Sequence, residues 1–222
     1  MSAAGQALKR THPVQMNFLT RKARTAAAMA LLWAATAVAA APLPSTTSVA
    51  GTKLSLNGEG TRYKAIFQVY DLGLYLPKPA RTSAELLRID GPMKLAFVAK
   101  RDLPGTDLGV AFMKGLAANN EKALVSKHLT STNRLIEVFS GRAKLVEDDT
   151  FAMEYLPGKG TQFYIAGEPQ GAPIGDLEFF RMVLNIWVGP SPADFRLKEK
   201  LLSGNGAAPA SPEPQQQPKA IY

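Results

Sequence analysis

The sequence predicts an α+β domain in which helices back an antiparallel sheet. Segments with a two-residue apolar period come first, two helical segments follow, and a hairpin and two more helices complete the order, so helices are grouped instead of alternating with parallel strands. No internal repeat and no linker rich in Pro, Gly or Ser interrupts residues 48–203. The chain has 222 residues and no cysteine, so this stretch needs one ordinary apolar core and has no disulfide or thiolate chemistry.

Residues 1–39 read as a secretory signal peptide. Lys9, Arg10, Arg21, Lys22 and Arg24 stand there without an acidic residue, before an apolar run that ends in Ala37, Val38 and Ala39. The run is short for a membrane span, and cleavage after Ala39 satisfies the small-x-small rule. An uncleaved anchor helix is the alternative. Met16 opens a well-proportioned signal by itself and competes with Met1 as the start. Residues 40–47, with Pro42 and Pro44, read as an extended mature terminus in a periplasmic protein without a membrane span.

Processing changes the meaning of the charge. The chain has 26 basic and 18 acidic residues, net +8. Without the five leader cations, 21 face 18 and the balance is +3. No basic run interleaved with aromatics remains, which argues against a nucleic-acid partner.

The domain's strands are expected at 52–57, through 61–76 and at 94–100. In 61–76 the apolar phase runs Tyr63, Ala65, Phe67, Val69 and then shifts to Tyr70, Leu72, Leu74, Leu76. Such a flip predicts a bulge or bend near Val69. Thr106 is placed to cap a helix with Leu108, Ala111, Phe112, Gly115 and Leu116 on one face. A second helix from about Glu121 carries Leu124, Val125, His128, Leu129, Leu135, Ile136 and Phe139. Strands 150–156 and 161–166 form a hairpin through Pro157, Gly158 and Gly160. Asp176 caps a helix bearing Phe180, Val183, Leu184 and Trp187, ended by Gly189 and Pro190, and Ser191, Pro192 and Asp194 open the last one. From Gly204 the Pro-, Ala- and Gln-rich residues to 222 read as a disordered tail.

Few residues offer chemistry. His128 is the one histidine beyond the leader and sits on an apolar helix face, so a core histidine is expected. It has no Cys or second His with which to hold a metal, and Glu147, Asp148 and Asp149 read as a solvated turn. There is no nucleophile elbow, P-loop or dinucleotide fingerprint, and no cofactor is expected. Arg62 stands out: it follows Gly58 and Gly60 at the start of an aromatic-rich region, and its planar, permanently charged fork suits a carboxylate or enolate-like oxygen. An exposed strand arginine is the alternative.

The runs LNGEGTR at 56–62 and VYDLGLYL at 69–76, with RDLPG at 101–105, PGKGT at 157–161 and NIWVG at 185–189, resemble the chalcone isomerase family, and most of all its secreted bacterial branch. The resemblance implies an open-faced β-sandwich, a large antiparallel sheet backed by helices with a ligand cleft between. It implies that Arg62 matches the arginine that stabilises the phenolate or enolate oxygen in the plant enzymes. At the place of an enzyme threonine this chain has Tyr70, as does the fatty-acid-binding branch, where arginine and tyrosine hold a carboxylate. A second enzyme threonine falls on Ile186. The enzymes' helix tyrosine falls on Leu108 or Phe112, and its asparagine partner on Asn119 in the second register.

Three functions stay open. The first is binding of a hydrophobic ligand with an anionic head by Arg62, Tyr70 and Asn119. The second is an isomerase or intramolecular lyase acting on an α,β-unsaturated carbonyl compound, with Arg62 catalytic. The third is a structural or partner-binding envelope protein. For Arg62 and Tyr70 to share one ligand the chain must turn back between them, since eight residues of straight strand span about 26 Å. Tyr63, Tyr75 and Asn119 are the alternative partners for Arg62.

The leader reading has a direct test. Amino-terminal sequencing of exported protein is expected to begin at Ala40, and a chain that keeps residues 20–39 in the membrane fraction contradicts it.

Overall fold

The computed structural model describes residues 43–204. The predicted leader, its cleavage site and the predicted tail from 205 onward lie outside the described residues. Strands β1 (Thr46–Val49), β2 (Thr52–Lys64), β3 (Phe67–Leu76) and β4 (Met93–Ala99) come first, with the single-turn helix α1 (Ser83–Leu86) before β4. The short strand β5 (Leu103–Pro104), helices α2 (Gly105–Asn119), α3 (Lys122–Lys127) and α4 (Leu129–Ser140), and strand β6 (Lys144–Leu145) follow. Strands β7 (Thr150–Leu156), β8 (Gly160–Ile165) and β9 (Glu168–Pro169) lead to helices α5 (Leu177–Val188) and α6 (Phe195–Leu201). Seven strands pair antiparallel in the order β1-β2-β3-β4-β7-β8-β9, and β5 pairs with β6 apart from them. The α+β expectation is met.

The two faces of the sheet differ in what covers them. Tyr70, Leu72, Leu74 and Leu76 of β3, with Leu95 and Phe97 of β4, Met153 of β7 and Phe163 of β8, enter the main core against the helices. Each large apolar side chain buried this way contributes about 1.5–3 kcal/mol. Among the described residues the opposite face carries a small cluster of Val49, Leu54 and Tyr75, with Leu56, Ala96 and Leu156 packed against it. Helix α5 buries Phe179, Phe180, Met182, Val183, Leu184, Ile186, Trp187 and Val188, which is the pattern of a helix enclosed on most sides. Its cap is the expected one: Asp176 Oδ1 accepts the Phe179 N–H at 2.9 Å.

Four local expectations need correction. The 61–76 segment is a hairpin that reverses at Ala65–Ile66, with Lys64 opposite Phe67. Ala65 takes a positive φ of 55° to close this two-residue turn, which the absence of glycine concealed. The irregularity in pairing falls between Arg62 and Tyr63, not at Val69. Thr106 does not cap α2, which starts at Gly105 after Pro104 without a side-chain cap; the Gly105 N–H instead donates to the Ala143 carbonyl. The helix expected from Glu121 is two, α3 and α4, meeting at His128. Leu129 begins the second with its side chain half exposed. His128 is buried as expected, its Nε2 2.9 Å from Glu178 Oε2.

Helix α6 lies directly on β2. A Cβ on Gly58 would sit 2.0 Å from the Lys200 carbonyl oxygen, and one on Gly60 would meet the Lys200 side chain at 2.7 Å. Buried Asn57 pins the contact: its amide donates to the Leu201 carbonyl at 2.7 Å and the Ala80 carbonyl at 2.9 Å, and its Oδ1 accepts the Ala80 N–H at 2.8 Å. At the other end, Asp194 accepts from Arg196 and Leu197 to cap α6 and from the Tyr63 N–H of β2 at 3.0 Å.

Gly58→Ala is expected to lose about 2–3 kcal/mol of stability by forcing the helix off the strand. Asn57→Ala, which leaves buried carbonyls unpaired, is expected to lose about as much. Urea unfolding measures both, and an unchanged midpoint for Gly58→Ala would refute the close approach.

Candidate ligand cleft

A cleft of about 930 Å³ opens between the β2–β3 hairpin, strands β4 and β7, and helices α2, α4 and α5. Its wall is aromatic. Phe97 lies at ring-centroid distances of 5.3 Å from Tyr70, 5.2 Å from Phe151 and 5.3 Å from Trp187. Phe139 adds contacts to Phe151 at 4.9 Å and to Phe112 at 5.5 Å. Rings from three strands and three helices therefore make one continuous apolar surface, at separations where aromatic pairs add stability beyond their burial. Leu108 and Ala111 of α2 border the same space, which explains why the apolar stripe of that helix is wider than its buried one.

Arg62 and Tyr70 meet here. They are directly opposed across β2 and β3, so alternation aims both side chains to the helix-facing side. The Arg62 guanidinium carbon lies 5.5 Å from the Tyr70 ring centroid, within cation–π range. Arg62 Nε is buried without a hydrogen-bond partner. The Tyr70 oxygen accepts from Trp187 Nε1–H at 2.7 Å, leaving the tyrosine's own proton to be donated elsewhere. Burial pushes the Tyr70 phenol above its ordinary value, although the Arg62 charge and the Trp187 hydrogen bond oppose this, so Tyr70 is a neutral donor at physiological pH.

The polar surroundings of Arg62 are set by α6. Burial by itself would raise the Asp194 carboxyl, but donors from Tyr63, Leu197 and Arg196 together with the Arg62 charge hold it below the usual carboxylate range. Asp194 is thus an anion committed to three backbone N–H groups. Lys64, Arg101 and Lys114 add positive charge around the cleft. The acidic residues there are Asp102, which pairs with Lys144, Asp149, which accepts the Val146 N–H, and Asp107 in the first turn of α2.

Asn119 does not belong to this space. Its Nδ2 donates to the Gly115 and Ser191 carbonyls at 2.9 and 2.8 Å, and its Oδ1 accepts the Ser191 N–H at 2.8 Å. The side chain ties the end of α2 to the turn after α5, so the expectation that it joins Arg62 and Tyr70 is corrected. Tyr63 is half exposed beside the hairpin turn, and Tyr75 packs in the cluster on the opposite face. Ile186 does line the cleft, as does Phe112. Trp187 is the residue that sequence reasoning placed only in the core; its signal was NIWVG at the end of a helix, but a tryptophan there reads as packing until its N–H is seen to reach Tyr70.

Comparison with known proteins agrees with this architecture. A crystal structure of an Arabidopsis thaliana fatty-acid binding protein is similar in fold, with a TM-score of 0.55 at 18% sequence identity over 74% of this chain and 92% of that one. No curated protein matches the chain. Residues 35–203 match the description "Chalcone isomerase-like", and the chain belongs to the chalcone isomerase-like family.

Proposed function

We propose that the protein binds, in the periplasm, an amphipathic ligand with an apolar body and a carboxylate or similar anionic head. The observation that carries this reading is a buried Arg62 Nε without a partner beside a tyrosine whose hydroxyl oxygen is already engaged by Trp187. A carboxylate would accept from the guanidinium and from the Tyr70 O–H at once, satisfying both donors. The aromatic wall would take the apolar body, and a volume of about 930 Å³ lies within the range of about 300–1,000 Å³ usual for small-molecule sites. The fold neighbour, a fatty-acid binding protein, supports a fatty-acid-like occupant. The location rests on the predicted leader.

A partly desolvated ion pair is costly to break from one side. Arg62→Ala is expected to weaken fatty-acid binding by about 2–4 kcal/mol, and Arg62→Lys to restore only part of it because the planar fork is lost. Titration calorimetry over a series of chain lengths measures this, and equal affinities for wild type and Arg62→Ala would rule the site out.

The isomerase alternative needs a held oxyanion and a route for a proton. Tyr70 and Ser191 supply the side-chain hydroxyls among the lining residues, and Ile186 stands where the plant enzymes have a threonine. Loss of hydroxychalcone absorbance is therefore expected to stay near the uncatalysed rate. A rate that scales with protein and disappears in Arg62→Ala would establish the enzyme reading instead.

A further inference from the structure

The tip of the β2–β3 hairpin is unusual for a solvated turn. Ile66 is 84% exposed, Phe67 57% and Tyr63 44%, where polar residues or glycine would satisfy the turn as well. Cations accompany them. Residues 62–68 contain Arg62 and Lys64 and no acid, and Arg101 lays its guanidinium 5.4 Å from the Phe67 ring centroid. Val110, 54% exposed on α2, borders the same cleft as Phe67, Lys64 and Arg101. Exposed apolar side chains next to Lys64 and Arg101 match the two components of a bilayer surface, acyl chains below and anionic headgroups above.

We propose that the hairpin tip docks on an anionic lipid bilayer, with Ile66 and Phe67 entering the headgroup–acyl boundary while Lys64 and Arg101 pair with lipid phosphates. Docked this way, the cleft opening faces the membrane, and an apolar occupant can pass between bilayer and protein without crossing water. A bilayer is favoured over a protein partner because the exposed apolar residues of the tip, Ile66 and Phe67, are accompanied by Lys64 and Arg101, the charge that anionic headgroups attract. The docking stands apart from the ligand reading, since bare vesicles test it.

The chain has no cysteine, so single labelling sites can be introduced at will. Full-length Ile66→Cys and Lys159→Cys, the latter on the β7–β8 turn, are labelled with an environment-sensitive dye and mixed with vesicles of phosphatidylglycerol and phosphatidylethanolamine, or of phosphatidylcholine alone. Comparing two positions in one chain separates tip insertion from any attachment through residues 1–39. The dye at 66 is expected to shift to the blue and to be quenched by brominated acyl chains in the anionic vesicles only, while the dye at 159 responds to neither. Adding Lys64→Glu and Arg101→Glu is expected to reduce the response at 66 by about tenfold or more at equal lipid, and raised salt to reduce it in the unmodified background. Equal responses at 66 and 159, no quenching at 66, or equal quenching in phosphatidylcholine would overturn the proposal. So would an apolar environment at 66 before lipid is added, which would assign the tip to a second copy or to another segment of this chain.

Discussion

The contact of the last helix with the second strand is the constraint on which the site depends. Gly58 and Gly60 remove the side chains that would hold α6 away, since a Cβ on Gly58 would overlap the Lys200 carbonyl. Asn57 replaces them with hydrogen bonds to the end of that helix and to the segment before α1. The start of the helix is fixed by Asp194, whose carboxylate also holds the Tyr63 N–H. Both ends of α6 thus set the path of β2 around Arg62. The glycines of LNGEGTR make room for a helix in the way that a phosphate loop makes room for phosphate, but the occupant is the protein itself.

The cleft has a marked polarity. Its wall is built from rings contributed by β3, β4, β7, α2, α4 and α5, while its cations are Arg62 and Lys64 on the hairpin, Arg101 before β5 and Lys114 on α2. Trp187 connects the two regimes by packing on Phe97 and Phe112 while its N–H reaches Tyr70. A low-dielectric wall next to an arginine strengthens the field that the arginine presents. The same wall raises the Tyr70 phenol, so the donor next to the cation keeps its proton.

Much of this was legible. Period-two segments located the long strands, Asp176 and Asp194 announced their helices by cap position, and the family resemblance pointed to Arg62 and Tyr70. The failures were local and share a cause. A two-residue turn through Ala65 at positive φ leaves no Gly or Asn in the sequence, so the hairpin reads as one strand with a phase error. The start of α2 uses a backbone donor to Ala143, a partner that no spacing in the sequence reveals, and Thr106 was the nearest conventional cap. Asn119 was carried over by alignment, but its amide is consumed by Gly115 and Ser191.

What the sequence determined by itself is whatever depends on near neighbours along the chain or on composition: strand and helix periods, two caps, the lack of any thiol, and the presence of one arginine after paired glycines. Tertiary structure decided which donors remain unused. Arg62 Nε has no partner while the neighbouring Asp194 carboxylate accepts three backbone N–H groups, and the Tyr70 oxygen accepts from Trp187, 117 residues away, without using the tyrosine's own proton. Hydrogen-bond satisfaction is a property of everything within about 3 Å of an atom, and residues remote in sequence supply most of those neighbours.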